Sequence, residues 1–312
     1  MGAVNETVYQ YISELFPDSK LNRLPEKFGG DRIFDSPLCG VSRGDDPILP
    51  YYKKIIGPEH LTPLEMWAAN GLEGNADLAP RLRVLSIVFP YSKRIREEGK
   101  KAKRLPADIY SLGRNFANDF ISDVQNKTVQ YLQDQGFRAL APWQSPVFQL
   151  YERLEPGKFT YSNWSERHMA FAAGLGTFSL QEALITEIGC NVRLSSVITD
   201  APLEVTLRKS DDPYANCLFF AKGICRSCEK RCPAEGAITE ESGHDKLNCW
   251  KYGHGPVIKE MTEKLREYLK PRIDIIDGEQ HKIYNVGCAL CQFKVPCMDK
   301  NPMAKAGNKA TD

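Results

Sequence analysis

Residues 225–233 read Cys-Arg-Ser-Cys-Glu-Lys-Arg-Cys-Pro, and this run holds three of the ten cysteines of the 312-residue chain. Eight of the ten lie between Cys217 and Cys297, whereas Cys39 and Cys190 stand apart from the rest. The first residues lack the basic and apolar regions of a secretory signal, so we expect a reducing compartment. Clustered cysteines in such a compartment bind metal more often than they form disulfides. The sequence therefore predicts an N-terminal body followed by a metal-binding C-terminal part.

The overall composition is that of an ordinary globular protein. Hydrophobic residues make up 42% and charged residues 26%, which argues against a disordered or fibrous chain. The 41 Lys and Arg residues nearly balance the 40 Asp and Glu residues, and a net charge of +1 does not require nucleic acid or an acidic membrane as a partner. No apolar run approaches the roughly 18 residues of a membrane-spanning helix. We expect a cytoplasmic protein of two domains, since one domain takes about 150 residues.

The spacing of the cysteines indicates two metal centres. The two residues between Cys225 and Cys228 form a tight turn that points both sulfurs at one centre. A gap of three residues before Cys232, which Pro233 follows, turns the next sulfur towards a second centre. Bacterial ferredoxins with two clusters use this arrangement. The eight clustered thiolates make two sites of four, which is enough for two four-iron four-sulfur (4Fe-4S) clusters.

One position departs from the ferredoxin pattern. The usual run has a further cysteine three residues before Cys225, and that position is Lys222 in this chain. The available upstream thiol is Cys217, which the longer loop 218–224 would deliver. We therefore assign to the first cluster Cys217, Cys225, Cys228 and Cys297, and to the second cluster Cys232, Cys249, Cys288 and Cys291.

A zinc site is the main alternative to iron. Paired Cys-x2-Cys groups also build four-cysteine zinc sites, and residues 225–228 and 288–291 could form one. That arrangement leaves the other clustered thiols without a role and does not account for the Cys-Pro pair. Structural free thiols are a third alternative. We expect the isolated Cys39 and Cys190 to be buried as small hydrophobic residues.

Hydrophobic patterns outline the N-terminal body. They predict helices over residues 7–16 and 108–135, and strands over residues 83–89 and 191–199. A further helix begins at Thr62, because a hydroxyl cap is followed by proline and then by a glutamate three residues after the cap.

A basic run follows the first of these strands. Residues 93–104 contain seven Lys and Arg residues and two Glu residues. This composition favours a solvated loop, and a patch for a phosphate-bearing ligand or an acidic redox partner is the alternative.

Several stretches of the body carry a family resemblance. Residues 167–178 read Arg-His-Met-Ala-Phe-Ala-Ala-Gly-Leu-Gly-Thr-Phe, and residues 184–186 and 192–200 follow with Leu-Ile-Thr and Val-Arg-Leu-Ser-Ser-Val-Ile-Thr-Asp. These segments resemble the core of the epoxyqueuosine reductases and of the related reductive dehalogenases. Residues 110–116, Tyr-Ser-Leu-Gly-Arg-Asn-Phe, are similar to the Tyr-x-x-Gly-Arg-Asp-Tyr segment of these families. The order of a body followed by two clusters matches as well, and the resemblance covers about residues 80–300.

The resemblance implies an α+β fold, with a nitroreductase-like body over residues 1–205 and a ferredoxin-like domain with both clusters over residues 206–312. In these families the body holds a cobalamin, to which the clusters pass electrons one at a time. The implied function is a cobalamin-dependent reductase that a low-potential ferredoxin or flavodoxin supplies with electrons. An electron-transfer protein without a corrinoid is the alternative. No helical-repeat extension for tRNA follows Cys297, so tRNA is not the favoured substrate, and a halogenated organic compound or another electrophile stays open.

The resemblance also implies which residues contact the cofactor. They are Arg114, Arg167, Gly174, Leu175 and Gly176. The two glycines would allow close backbone approach to a large planar ligand, and an ordinary turn at a helix end is the alternative explanation for them.

The proton donor is expected at Tyr161. The position that resembles the catalytic Asp of the epoxyqueuosine reductases is Thr160, whose hydroxyl is too weak an acid. Reductive dehalogenases use a tyrosine as the donor, and Arg114 or Arg167 would make the Tyr161 hydroxyl more acidic. A loop aromatic packed on the body is the alternative for Tyr161.

Overall fold

The computed structural model describes residues 2–155, 158–276 and 279–304. The helices are α1 Gly2–Glu14, α2 Ile48–Ile55, α3 Pro63–Ala69, α4 Lys93–Lys101, α5 Asp108–Asp134, α6 Glu166–Ala172, α7 Leu218–Lys222, α8 Ser227–Arg231, α9 Lys246–Tyr252 and α10 Ile258–Leu265. The strands are β1 Leu38–Arg43, β2 Arg83–Pro90, β3 Ala139–Leu140, β4 Leu150–Glu155, β5 Lys158–Ser162, β6 Gly176–Phe178, β7 Leu184–Thr186, β8 Val192–Thr199, β9 Ile238–Thr239, β10 Gly243–His244, β11 Arg272–Ile276 and β12 Glu279–Ile283. No helix in the described part of the chain has both the length and the apolar character needed to span a membrane.

An antiparallel four-stranded sheet forms the centre of the N-terminal body, in the order β1-β2-β8-β3. β2 lies inside the sheet and pairs with β8 along its whole length. Seven of the eight residues of β2 are buried, which fits its run of β-branched and aromatic side chains. The strands predicted over residues 83–89 and 191–199 are confirmed, and so is the α+β class.

The long helix α5 packs on one face of this sheet. Phe120 of α5 makes edge-to-face ring contacts with Phe16 and Phe89, at centroid distances of 5.0 and 6.0 Å. All three rings are buried. Each such side chain stabilises the fold by about 2–3 kcal/mol relative to an exposed one. The contact fixes α5, which carries residues 110–116, against strand β2 of the sheet.

The helix predicted from Thr62 is present as α3. The Thr62 hydroxyl accepts a hydrogen bond from the backbone N–H of Glu65 at 3.3 Å, and the Glu65 carboxylate accepts one from the backbone N–H of Thr62 at 2.8 Å. This reciprocal pair is the capping box that the sequence pattern predicts.

The loop predicted over residues 93–104 is wrong for most of that run, because residues 93–101 form α4. Ser92 caps the helix, and Ile95 is fully buried against the body. Both glutamates of the run form ion pairs with lysines three positions further on. The pairs offset the repulsion between the basic residues, so the helix presents a solvated face rather than a patch of unpaired charge.

The C-terminal part packs on the body through a continuous core. Phe293 is fully buried and meets Tyr110 of α5 edge-on, with the ring centroids 5.1 Å apart. Val257 and Met261 belong to the same buried cluster as Phe120. The division of the chain at residues 205 and 206 stays a prediction.

Candidate functional site

Four of the predicted ligands line one cavity between the body and the C-terminal part. The cavity is small and partly open to solvent. Leu180, Ile185 and Val295 contribute apolar walls. The cysteines that line it are Cys217, Cys225, Cys228 and Cys297. Three separate segments therefore bring thiols to one space.

The second set of predicted ligands forms another group. Burial raises the pKa of Cys288 to about 12, and the neighbouring thiols of Cys249 and Cys232 raise it further. Burial likewise raises the pKa of Cys291, and the thiols of Cys288, Cys232, Cys249 and, least, Cys228 of the first group act in the same direction. These effects identify the four thiols as neighbours. Cys232 follows α8, Cys249 lies in α9, Cys291 lies in the turn at residues 290–292, and Cys288 lies just before that turn.

The three cysteines of the Cys-x2-Cys-x3-Cys run fall in different groups. Cys225 and Cys228 belong to the first group, and Cys232 belongs to the second. Burial raises the pKa of Cys228 to about 12, and its thiol neighbours are Cys297, Cys217 and Cys225. Cys232 lies only four residues further on, yet its thiol neighbour is Cys249. The crossed ligand assignment, with Cys228 and Cys232 at different clusters, stays a prediction.

The donor sets fit iron–sulfur clusters, because each group offers four buried or half-buried thiols and such clusters take four thiolate ligands. A bound metal stabilises a buried thiolate by neutralising its charge. No three His, Cys, Asp or Glu side chains of the described residues converge closely enough to hold a single metal ion. The ligand roles of the cysteines stay predictions.

Cys190 lies beside the first group, which the sequence analysis missed. Its sulfur is 3.7 Å from the sulfur of Cys297, and its backbone N–H donates to the Cys297 carbonyl at 2.8 Å. The Gln181 amide donates to the Cys190 sulfur at 3.4 Å. The hydrogen bond from Cys190 lowers the pKa of Cys297, and the same bond, followed by burial, raises the pKa of Cys190. Cys190 is buried as expected, but it is not isolated.

A charged network adjoins the second group. His244 Nδ1 lies 3.5 Å from the Glu182 carboxylate, and Lys246 lies 3.3 Å from it. Burial would lower the pKa of His244, but hydrogen bonding to Cys249 and Glu182 outweighs burial and raises it to about 9. Arg167, an expected cofactor contact, donates to the Glu182 carbonyl at 2.6 Å. Arg167 therefore helps to hold the loop that carries the charged network.

Gly174 and Gly176 are in close contact with the chain's own backbone. Gly174 has a φ of +72°, and a Cβ there would lie 2.9 Å from the Leu207 carbonyl oxygen. A Cβ at Gly176 would lie 2.5 Å from the Ile185 carbonyl oxygen. Leu175 is nearly buried between them. Chain packing alone accounts for glycine at both positions, and their contact with a corrinoid stays a prediction.

Tyr161 is bound to a carboxylate. Its hydroxyl donates to the Glu59 carboxylate at 2.7 Å, and its ring stacks on Tyr151 with centroids 5.3 Å apart. This partner is a carboxylate and not the expected cation, and within the described residues the side chains of Arg114 and Arg167 donate to Asn118 and to the Glu182 carbonyl. The proton-donor role of Tyr161 stays a prediction.

The structure also shows a buried carboxyl group that the sequence analysis missed. Glu166 lies in the first turn of α6, and both of its carboxylate oxygens are buried. Burial raises the pKa of Glu166 to about 7, and the polar neighbours Ser196 and Trp164 lower it less. Local sequence carries no signal of this burial, since a glutamate in the first turn of a helix is normally solvated.

Several solved structures are similar to most of the chain. An epoxyqueuosine reductase with an epoxyqueuosine-modified tRNA-Tyr stem loop is 15% identical with a TM-score of 0.49, over 96% of this chain and 69% of that one. The epoxyqueuosine reductase from Streptococcus thermophilus is 14% identical with a TM-score of 0.48, over 96% of this chain and 69% of that one.

A catabolic reductive dehalogenase in complex with 3-bromo-4-hydroxybenzoic acid is similar over a smaller share of its length. It is 16% identical with a TM-score of 0.42, over 79% of this chain and 33% of that one. These structures belong to the two families that the sequence resembles. No family model and no curated protein matches the chain.

Proposed function

We propose that this protein is an iron–sulfur reductase with two 4Fe-4S clusters, one in each cysteine group. The single observation that carries the proposal is the cavity lined by Cys217, Cys225, Cys228 and Cys297, whose lining does not include Cys232. A zinc site built from residues 225–228 and 288–291 would instead need thiols from both groups at one ion.

We further propose that the body binds cobalamin, as the resemblance of residues 110–116 and 167–178 implies. When both cofactors are bound to the protein, the clusters supply single electrons and the cobalamin supplies a low-potential cobalt centre. The candidate contacts are Arg114, Arg167, Gly174, Leu175 and Gly176. A ferredoxin or flavodoxin type of protein is the proposed electron donor.

The chain's own residues have three tasks in this proposal. The eight cysteines bind the clusters, and the apolar residues Leu180, Ile185 and Val295 limit access of water to the first group. Tyr161 holds a proton on its hydroxyl, next to the Glu59 carboxylate that accepts its hydrogen bond. Transfer of that proton to a reduced substrate is the proposed catalytic role of Tyr161.

An electron-transfer protein without a corrinoid is the second candidate. The observation that favours it is the close backbone packing at Gly174 and Gly176, which explains both glycines without a planar ligand. Both candidates require the clusters, and they differ only in cobalt.

The test is metal analysis of the full chain, purified without oxygen, together with its visible spectrum. About eight irons and one cobalt per chain support the reductase. Iron without cobalt supports the electron-transfer protein. Zinc in place of iron contradicts both candidates and favours the zinc site.

A further inference from the structure

Two arginines of the body lie side by side without a carboxylate between them. Arg114 of α5 and Arg193 of β8 both reach the side-chain oxygen of Asn118, at 3.5 and 3.1 Å. Their guanidinium groups are therefore neighbours, and both stay charged at physiological pH. Among the ion pairs of the described residues, neither arginine has an acidic partner.

Polar atoms with no partner occur in Arg193 itself and in nearby residues. Arg193 Nη1 and the Tyr91 hydroxyl are both buried, and neither has a hydrogen-bond partner in the described part of the chain. Asn191 is fully buried, and both polar atoms of its amide lack a partner there as well. Alternation along the chain places Asn191 and Arg193 on the same side of the sheet. Buried polar groups nearly always have partners, so these atoms are expected to meet ordered water or a bound ligand.

Arg193, Tyr91 and Tyr110 are electrostatic neighbours of the Arg114 guanidinium. Burial lowers the pKa of Arg114 to about 10, and the neighbouring Arg193 lowers it further. Tyr91 and Tyr110 both act to raise the pKa of the Arg114 guanidinium, and their ring centroids lie 5.2 Å apart. Like charges in a half-buried place destabilise the fold unless a negative charge compensates them. The natural sequence nevertheless keeps both arginines.

The site adjoins solvent on one side. Arg193 stacks over the ring of Trp143 at 6.0 Å, and both Trp143 and Asn118 are partly exposed.

We propose that Arg114 and Arg193 form a binding site for a phosphate group, with the Tyr91 hydroxyl and the Asn191 amide as further hydrogen-bond donors. Two positive charges match a phosphate, which carries about −1.5 to −2 at neutral pH, better than they match a single carboxylate. The planar fork of arginine also suits the geometry of phosphate oxygens. The phosphate is either a free ion or part of a larger ligand. Arg114 is also a candidate cobalamin contact of the proposed function, but the phosphate titration needs neither iron nor cobalt, so the two proposals can fail separately.

The experiment titrates inorganic phosphate and glycerol phosphate into the full chain, purified without oxygen and with its metal content measured. Ionic strength is held constant with chloride, and binding is followed by calorimetry and by the thermal midpoint of unfolding. The variants are Arg193→Met and Arg114→Met, which keep most of the side-chain length. Arg138→Met is the matched control, because Arg138 pairs with Asp200 at 2.8 Å and lies outside the site.

We expect saturable binding of phosphate by the wild type, at least tenfold weaker binding by both site variants, and unchanged affinity in the control. Without phosphate, Arg193→Met should unfold at the same temperature as the wild type or higher, because an uncompensated charge is removed; a purely structural arginine would give a lower midpoint. Arg193→Lys keeps the charge but loses the fork, and should bind phosphate several-fold more weakly.

The two probes identify the source of the phosphate. Binding of inorganic phosphate alone supports a free ion, and binding of glycerol phosphate supports an esterified ligand. The proposal is overturned if neither probe binds saturably, if acetate binds as tightly as phosphate, or if Arg193→Met or Arg193→Lys keeps wild-type affinity. Metal content separates this outcome from failure of the proposed function, because the phosphate titration gives its answer whether or not iron is present.

Discussion

The sulfur of Cys190 lies 3.7 Å from the sulfur of Cys297, although the two residues are 107 positions apart. Cys190 also accepts a hydrogen bond from Gln181, so its own thiol proton is available for Cys297. If Cys297 is a thiolate ligand, Cys190 donates to it without being a ligand itself. Hydrogen bonds to ligand sulfurs are one of the factors that set the potential of an iron–sulfur cluster.

Replacement of Cys190 is therefore expected to leave the iron content unchanged and to shift the reduction potential of the first cluster. Cys190→Ala removes this hydrogen-bond donor. The donor stabilises the reduced cluster more than the oxidised cluster, because the reduced cluster is more negative. The reduction potential of the cluster should therefore fall in the variant. A loss of about 1 kcal/mol corresponds to roughly 40 mV for one electron. Cys190→Ser keeps a donor and is the matched control. Redox titration measures the shift, and loss of iron in Cys190→Ser would mean that Cys190 is a ligand.

Cys228→Ser should lose the iron of the first group and unfold more easily. The reason is that metal binding is coupled to folding, and the segment around α7 and α8 is short. About half of the iron should remain, because the second group is intact. Cys39→Ser is the control, since Cys39 lies on β1 in the body and belongs to neither group.

Cys217→Ser tests the ligand that departs from the ferredoxin pattern. We expect the same loss of iron as in Cys228→Ser, because Cys217 is buried at the same cavity. Iron analysis and the visible spectrum measure the loss. Full retention of iron would exclude Cys217 and direct attention to Cys190 as the fourth thiol.

Tyr161→Phe tests the proton donor in any turnover assay that the protein supports. A positioned acid typically accelerates a reaction by about 10²–10⁴-fold, and this factor should be lost while iron and cobalt stay bound. Tyr151→Phe is the matched control, because Tyr151 stacks on the same ring and its hydroxyl donates to Gln149 instead. Equal rates in both variants would contradict a catalytic role for Tyr161.

The sequence predicted the features that depend on local spacing. Short gaps such as the two residues between Cys225 and Cys228 constrain where sulfurs point, and the ligand assignment based on them stays a prediction. The strands over residues 83–89 and 191–199 and the capping box at Thr62 are also local patterns. The loop predicted from the charge composition of residues 93–104 was wrong for most of that run. Burial of Ile95 and ion pairs along the helix outweigh the repulsion between the basic residues, which favours a loop.

Contacts between distant segments were not predictable in the same way. Cys297 lies beside Cys190, and Asn118 lies beside Arg193, although each contact joins distant segments of the chain. The spacing of residues in a single sequence does not reveal such contacts. Tyr161 was expected beside a cation and donates to Glu59, which precedes it by 102 positions. Burial of Glu166 depends likewise on packing around α6.

The buried Glu166 makes the stability of the protein depend on pH. Burial raises its pKa from the ordinary value of 4.5 to about 7, so between these values the folded state keeps a proton that the unfolded state releases. Stability is therefore expected to fall as the pH rises from about 4.5 to about 7, by up to about 3 kcal/mol from this group. Glu166→Gln is neutral at every pH, so it should be more stable than the wild type at pH 8 and nearly equal to it at pH 5. Denaturant unfolding of both proteins at the two pH values measures the difference, with Glu235→Gln as an exposed control. A constant difference between wild type and Glu166→Gln across this range would contradict the raised pKa.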